Sequence, residues 1–263
     1  MTDSGNSEYP DCDPVPREAP AHFLCPKCDT VIELWTDYAG GKCSSCNIFF
    51  KKSQLSRLPD TLLGILKDNN TKLKRLIQDA LELGATDATI ISTKDIVIDN
   101  DLADKCREPR CENYGLSKSC PPNVSGPSEL RKQIEKYSRA VFFKIDVPSE
   151  ILFSSERREL FQLLHEIAAG IERSAVGIGF TDAQAYAGGS CKSIFCHEHL
   201  ECLALSEKGT CRHPQHARPS MSGFGINVAE LFKTAGWTIG WVTHKPDAPT
   251  IKMANICGLV LIY

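Results

Sequence analysis

The stretch that decides the fold is "RAVFFKIDV", residues 139–147. It is a strongly β-forming run, because aromatic and β-branched side chains pack well on a pleated surface. The preceding residues 128–138, "SELRKQIEKYS", have the apolar spacing of an amphipathic helix. The sequence therefore predicts a helix that leads directly into a strand in the middle of the chain.

Helical and strand-forming patterns alternate on both sides of this run. Residues 69–85 place leucine and isoleucine at helical spacing, and Gly84 is the stop signal. Asn70 or Thr71 is the predicted N-cap of this helix. Further helices are predicted over 154–176 and 227–237, and strands over 86–93, 95–100, 182–189, 238–244 and 256–263. This alternation predicts an α+β fold, an α/β sandwich for which a ferredoxin-like topology is one option.

The composition is that of a globular protein. Of its 263 residues, 42% are hydrophobic and 24% are charged, which allows one large domain, or one domain with a small module. The net charge of −3 argues against a general nucleic-acid binder. No stretch has the roughly 20 apolar residues of a membrane helix, so no membrane span is predicted. Residues 1–20 are polar and rich in proline, which predicts a disordered lead-in rather than a signal peptide, and a cytoplasmic protein.

Cysteine is the outstanding residue type, with 13 copies. The cysteines fall into three clusters at residues 25–46, 106–120 and 191–211, and only Cys12 and Cys257 stand apart. A reducing cytoplasm argues against a disulfide scaffold. Clustered cysteines in such a compartment are typical of metal binding or of redox chemistry.

The first cluster predicts a zinc ribbon over residues 21–53. Its two C-x2-C pairs consist of Cys25, Cys28, Cys43 and Cys46. Each pair forms a tight turn that aims two sulfurs at one point, which suits tetrahedral Zn²⁺. A strand at 30–35, a two-glycine turn at 37–42 and a strand at 48–52 complete the predicted hairpin. Rubredoxin-like iron is the alternative, since four thiolates suit both metals.

A ribbon this short cannot bury enough surface alone, so the metal is expected to carry its folding. Its role would be structural, or the docking of a partner. Residues 54–70 are predicted to form a linker, and residues 71–263 the cysteine-rich α/β domain.

The second and third clusters lack C-x2-C pairs, which disfavours a second ribbon. The second consists of Cys106, Cys111 and Cys120, and the third of Cys191, Cys196, Cys202 and Cys211. Cysteines strung along a loop, with proline after the last one, are typical of iron–sulfur ligation. The third cluster has enough sulfurs for a complete 4Fe–4S cluster, whereas the second needs a further ligand. Cys257, another cysteine, a different group or none could fill that place, and an iron without a protein thiolate would be open to substrate.

Zinc held with His197, His199 and His213 is the alternative for the third cluster. Arg212 and Arg218 could pair with an anion or offset the charge of a cluster. The helix predicted after "SMSGFGIN" begins at Asn227, where backbone N–H groups could receive an anion or a cluster sulfur. The competing interpretation is a plain glycine-rich connection with solvated arginines. No catalytic triad is indicated, and catalytic residues stay unassigned apart from Tyr114 as a candidate proton donor.

Two motifs resemble a known family. "CENYGLSKSCPPN" at residues 111–123 and "CRHPQHARPSM" at residues 211–221 are similar to the cysteine-rich family of predicted metal-binding proteins. That family is a domain of unknown function of anaerobic bacteria and archaea, and the resemblance covers residues 73–263. It implies iron–sulfur binding by the cysteines of the second and third clusters. Cys191-x4-Cys196 is wider than the C-x2-C of the family, and the ribbon lies outside the shared domain.

The sequence thus predicts a metal-binding protein with one or two 4Fe–4S clusters and Zn²⁺ in the ribbon. Its function would be electron transfer to a redox partner protein or, in an enzyme, the work of an iron–sulfur-dependent oxidoreductase on an unidentified small molecule. The alternative is a non-redox, zinc-binding scaffold or interaction protein.

Overall fold

A computed structural model of the chain describes residues 20–35, 38–207, 209–240, 242 and 252–263. All but the last residue of the predicted lead-in, and residues 241, 243 and 244 of the predicted strand 238–244, lie outside this part. The chain divides into two compact units, Met1–Asn69 and Asn70–Tyr263. No helix of the described residues is long and apolar enough to cross a membrane.

The first unit consists of short antiparallel strands. These are β1 (Ala21–Leu24), β2 (Val31–Leu34), β3 (Gly40–Lys42), β4 (Phe49–Lys51) and β5 (Ser56–Arg57). One sheet has the order β2-β1-β5, and β3 pairs with β4. The predicted two-glycine turn therefore ends in a strand. Gly40 is needed there because a Cβ atom would lie 2.4 Å from the carbonyl oxygen of Phe50 on the paired strand.

Helix α1 (Asp60–Glu82) begins well before the predicted position. The leucines at 62, 63 and 66 extend the helical spacing backwards, and a single glycine at 64 does not interrupt it. Residues 54–70 therefore contain β5 and a helical segment where an irregular linker was expected, and Asn70 and Thr71 lie inside the helix and do not cap it. The predicted stop is observed, since Gly84 adopts a left-handed φ of 112°.

The second unit is built on one antiparallel sheet. Its strands are β6 (Asp87–Ser92), β7 (Arg139–Pro148), β8 (Gln184–Tyr186) and β9 (Met253–Ile262), in the order β6-β7-β9-β8. Its helices are α2 (Asn100–Asp104), α3 (Gly126–Ile134), α4 (Arg157–Gly177), α5 (Cys191–Phe195) and α6 (Val228–Ala235). The predicted α+β class is confirmed. Helices lie in every connection between strands, an order that differs from the β-α-β-β-α-β order of ferredoxin-like folds.

Strand β7 is covered on both faces. Val141 and Phe143 pack in one layer with residues of α1 and α4, including Leu76 and Leu164. Phe142, on the opposite face, packs with residues of α3 and α6. This double coverage explains why "AVFF" is a continuous apolar run and not an alternating one.

The strand predicted at 95–100 is not formed. Thr93–Asp95 is a 3₁₀ turn, and Ile98 makes an isolated bridge to Ile226. The side chain of Asp99 accepts a hydrogen bond of 2.9 Å from the backbone N–H of Asp101, so it caps α2 and ends the extended segment. None of the described residues 238–240 and 242 of the other predicted strand is in a strand.

Candidate metal centres

The sulfurs of Cys25, Cys28, Cys43 and Cys46, the N-terminal cysteine set, lie within 4.8 Å of one another. Sγ of Cys25 lies 3.6 Å from that of Cys46, and Sγ of Cys28 lies 3.5 Å from that of Cys43. Four sulfurs at about 2.3 Å from a tetrahedral ion would be roughly 3.8 Å apart. The set therefore fits a single metal ion and is compatible with a zinc ribbon.

Each C-x2-C pair is held by the same backbone arrangement. The N–H of Asp29 donates to the carbonyl of Cys25 at 2.9 Å, and the N–H of Asn47 donates to that of Cys43 at 3.0 Å. Asp29 and Asn47, each following the second cysteine of its pair, adopt left-handed φ angles of 56° and 63°. Aspartate and asparagine tolerate this conformation better than most residues. The local sequence therefore specifies both turns.

The protonation of this set is uneven. Burial raises the pKa of Cys25, and the hydroxyl of Thr30, 3.2 Å from Sγ of Cys28, lowers the pKa of Cys28 despite its burial. Metal binding to the set would release protons from its thiols, because the ligands of a metal ion are thiolates.

In the second unit, Cys106, Cys111 and Cys120, called here the three-cysteine group, line one cavity of about 400 Å³. Cys111 is exposed and Cys120 is buried. Burial raises the pKa of Cys106, and the nearby thiolate charges of Cys111 and Cys120 raise it further. The three side chains are therefore close enough to act on one another.

Cys191, Cys196, Cys202 and Cys211 are called here the four-cysteine group. Burial raises the pKa of Cys196. The charge of Arg212 lowers this pKa, and the charges of Cys211 and Cys202 raise it. Burial likewise raises the pKa of Cys191 to about 11, and among the smaller contributions are the charges of Cys120 and Cys211. Cys191 is therefore the member of the four-cysteine group that is close to Cys120 of the three-cysteine group.

These groups differ in spacing from the N-terminal set. Within the described residues, the N-terminal set is the one group of three or more Cys, His, Asp or Glu residues whose ligand atoms all lie within 4.8 Å of one another. The thiols of the second unit are spread more widely than the ligands of one ion. None of the described cysteines forms a disulfide.

The two sequence motifs meet in space. The N–H of Ser220 donates to the carbonyl of Ser119 at 3.1 Å. Ser220 also bridges Ala187, just beyond the end of β8. A Cβ atom on Gly223 would lie 2.9 Å from Cδ of Pro121, so the glycine admits the double proline. This contact joins the two motifs. Cys120 of the three-cysteine group thereby lies next to Ser190, at the start of α5.

The family model described as Predicted metal-binding protein (DUF2284) matches residues 89–262, more than half of the chain. The chain belongs to this family. The match contains the three-cysteine and four-cysteine groups and leaves out the N-terminal set. No curated protein and no solved structure matches the chain.

In this DUF2284 domain Arg218 has a structural role. Its guanidinium lies 2.5 Å from a carboxylate oxygen of Glu172 on α4 and donates to the carbonyls of Pro214 and Ala217. The other oxygen of Glu172 accepts a hydrogen bond of 2.7 Å from the N–H of Ala185. The "ARPSM" run is thus held against α4 and β8, and Arg218 is not a solvated arginine.

The start of α6, considered as an anion site, is capped by its own side chain. The side chain of Asn227 accepts a hydrogen bond from the N–H of Glu230 at 3.2 Å and caps α6. The segment before it packs closely, since a Cβ atom on Gly225 would lie 2.1 Å from the carbonyl oxygen of Asp99. The competing interpretation, a glycine-rich connection, describes this segment better.

The histidines considered as zinc ligands have other contacts. The ring of His213 stacks on Phe195 with 5.4 Å between centroids. Nε2 of His197 lies 2.8 Å from a guanidinium nitrogen of Arg158. Cys257, considered as the further ligand of the three-cysteine group, lies on β9 in the apolar layer beside α6, where burial raises its pKa to about 12.

Sequence reasoning missed one side of the cavity. Ser154, Ser155, Arg157 and Arg158, at the start of α4, line it together with Ser190 and Ser193 near α5. The run "SSERRE" was predicted only as the start of a helix. Its signal was the pair of arginines at a helix N-terminus, where acidic residues are the usual choice.

His165 supports the segments around the cavity. Its Nδ1 accepts a hydrogen bond of 3.1 Å from the N–H of Arg218, and its Nε2–H donates to the carbonyl of Gly188 at 3.1 Å. The bond accepted at Nδ1 requires the neutral imidazole, because both ring nitrogens are donors when the ring is protonated. Burial lowers the pKa of His165 from 6.5 to about 4, and the charge of Arg218 acts in the same direction.

The protein should therefore lose stability in acid through His165. Between pH 6.5 and pH 4 the unfolded state binds a proton that the folded state does not, so the free energy of unfolding falls as the pH falls. The expected contribution is about 3 kcal/mol. Urea unfolding across this pH range measures it, and a His165→Gln variant should show a shallower dependence. Equal slopes in the two proteins would contradict the assignment.

Proposed function

We propose that the chain is an iron–sulfur protein for electron transfer or reductive chemistry, with a structural zinc ion in an N-terminal ribbon. The observation that carries the proposal is that the three-cysteine group lines one cavity and adjoins the four-cysteine group through Cys120 and Cys191, at a spacing too wide for one ion. A cluster holds its thiolates farther apart than a single ion does, because each thiolate binds a different iron. When bound, such a cluster supplies one-electron transfer and, with three protein thiolates, an iron open to substrate.

The residues around the thiols fit this group. Ser117 is buried with a hydroxyl that has no hydrogen-bond partner, yet it approaches Cys191 closely enough to lower its pKa. A thiolate or a cluster sulfur is a suitable acceptor for it. The hydroxyl of Ser190 lies 3.3 Å from Sγ of Cys120. Hydrogen bonds of this kind tune the reduction potential of a cluster.

The four-cysteine group would hold one complete cluster, and the three-cysteine group a second one with a position left for the cavity. Because Cys191 lies near members of both groups, the two would suit an electron relay to a redox partner protein in the reducing cytoplasm. The enzyme version is an iron–sulfur-dependent oxidoreductase whose substrate occupies the cavity. In that version Tyr114, which lines the cavity, remains the candidate proton donor.

Anaerobic purification followed by metal analysis tests the proposal. We expect a brown protein that contains iron, acid-labile sulfide and one zinc ion per chain, with electron paramagnetic resonance signals after dithionite reduction. Air-oxidised protein should lose iron and sulfide while it keeps zinc. A colourless protein that contains zinc alone, after anaerobic growth in iron-rich medium, would contradict the iron–sulfur assignment.

That contradicting result would favour a non-redox zinc-binding scaffold. The observation in its favour is the first unit, where the sulfur spacing suits zinc and Trp35, Tyr38 and Phe49 are exposed. Exposed aromatic side chains on a small module are typical of partner contact.

A further inference from the structure

The cavity beside the three-cysteine group has a basic and hydroxylated side that metal ligation does not use. Arg157 and Arg158 line it at the start of α4. In the described part of the chain Arg157 pairs with no carboxylate and lies over the ring of Phe161 at 5.0 Å, and Arg158 contacts only the imidazole of His197. Of the cavity-lining residues, Glu112 alone is acidic. Both guanidinium charges are thus available to an anion.

Ser220 gives an independent indication of a ligand. It lines the cavity, is only 6% exposed, and its side chain makes no hydrogen bond to any described residue. Its hydroxyl is therefore free to donate a hydrogen bond to a ligand in the cavity. Ser155 and Ser222 also line the cavity. The N-cap of the 21-residue helix α4, Glu156, makes no side-chain capping bond, and in the first turn the N–H of Arg157 donates to the carbonyl of Ser154.

We infer that this cavity binds a small organic molecule that carries a carboxylate or phosphate group. Arginine forks bind these oxyanions through paired hydrogen bonds, and hydroxyls and a helix N-terminus add donors. The rings of Phe161 and Tyr114 and the side chain of Ile194 offer apolar contact for the organic part. The cavity volume, about 400 Å³, lies in the range of small-molecule sites.

The inference rests on the proposed function in one respect. The anion would lie beside the cluster held by the three-cysteine group and would therefore be the substrate of that cluster. Anion binding itself depends only on the residues at the start of α4 and on the serines. The two ideas can therefore fail separately.

Calorimetric titration of the anaerobically purified full chain tests the site. The probes are benzoate, phenyl phosphate and the uncharged benzamide. We expect saturable binding of at least one anion, and binding of benzamide weaker by about tenfold or more, the loss expected for a charge-assisted hydrogen-bond pair. Preference for benzoate or for phenyl phosphate identifies the oxyanion.

Arg157→Gln and Arg158→Gln should each weaken anion binding by about tenfold. Arg75→Gln is the matched control, because Arg75 is an exposed arginine of α1 that does not line the cavity and pairs with Asp79. It should leave the affinity unchanged. Absence of saturable binding of both anions, or equal affinity in wild type and both cavity variants, would overturn the inference.

Iron and sulfide measured in the same samples separate the two proposals. Iron–sulfur content without anion binding would overturn the anion site alone. Anion binding lost in the arginine variants of a protein without iron would uphold the site and overturn the proposed function. Loss of iron in the arginine variants with anion affinity retained would mean that the arginines serve the cluster, and it would overturn the anion site.

Discussion

Cys43→Ser is expected to abolish metal binding by the N-terminal cysteine set and to unfold residues 20–57. Cys43 is completely buried, and its sulfur lies 3.5 Å from that of Cys28. The core of this unit has few other buried side chains, among them Phe23, Ile32 and Leu34. Structural zinc contributes about 10–16 kcal/mol of apparent binding free energy to such modules, far more than this core can replace. The loss of one thiolate should therefore unfold the unit.

Limited proteolysis and zinc analysis measure this result. We expect rapid cleavage within residues 20–57 and the loss of one zinc ion per chain, while the second unit keeps its own metal. Ser44→Ala is the matched control, because Ser44 lies in the same turn and is exposed. It should keep both zinc and protease resistance. Full zinc content in Cys43→Ser would disprove the single-ion site.

Cys120→Ala is expected to remove the metal of the three-cysteine group and leave that of the four-cysteine group. Cys120 is buried, and its sulfur lies 3.3 Å from the hydroxyl of Ser190. A group with only two remaining thiolates cannot hold a cubane stably. If each group holds one 4Fe–4S cluster, iron should fall by about half. One of two paramagnetic signals should disappear after reduction.

Cys257→Ala is the matched control for this variant. Both residues are buried cysteines, but Cys257 lies on β9 in the apolar layer with Phe142 and Tyr186. The variant should keep all its iron and both signals. An equal loss of iron in Cys257→Ala would make Cys257 a ligand and contradict the separation drawn between it and the three-cysteine group.

Periodicity predicted most of the second unit. The apolar run at β7, the helix at α4 and the strand at β9 follow from local side-chain spacing, which is a property of the sequence alone. The start of α1 was missed because Asn70 and Thr71 resemble a cap, whereas the leucines before them continue the helix. The strand order could not be predicted from the sequence, because it depends on contacts between distant segments such as the pairing of Phe142 with Leu259.

The candidate sites were predictable to different degrees. The C-x2-C pairs fix the N-terminal set locally, so their spacing was sufficient. The three-cysteine group could be proposed from its motif. Its neighbours in the cavity could not be predicted, because Arg157 and Ser220 come from separate segments that only the fold brings together. Cys191 belongs to the third cluster in sequence. Its closeness to Cys120 of the second cluster could not be predicted from the residues around it.

The contact between the two motifs affects when, relative to folding, each group of thiols can bind metal. The hydrogen bond from Ser220 to Ser119 and the packing of Gly223 on Pro121 join segments that the sheet must first bring together. The thiols of the second unit are therefore gathered by folding, whereas a ribbon of the proposed kind would fold as its thiols bind the metal. Such a ribbon would need its metal ion as soon as it is synthesised. The DUF2284 domain, in contrast, would receive its metal only after the chain is complete through β9, from a donor able to reach an already folded pocket.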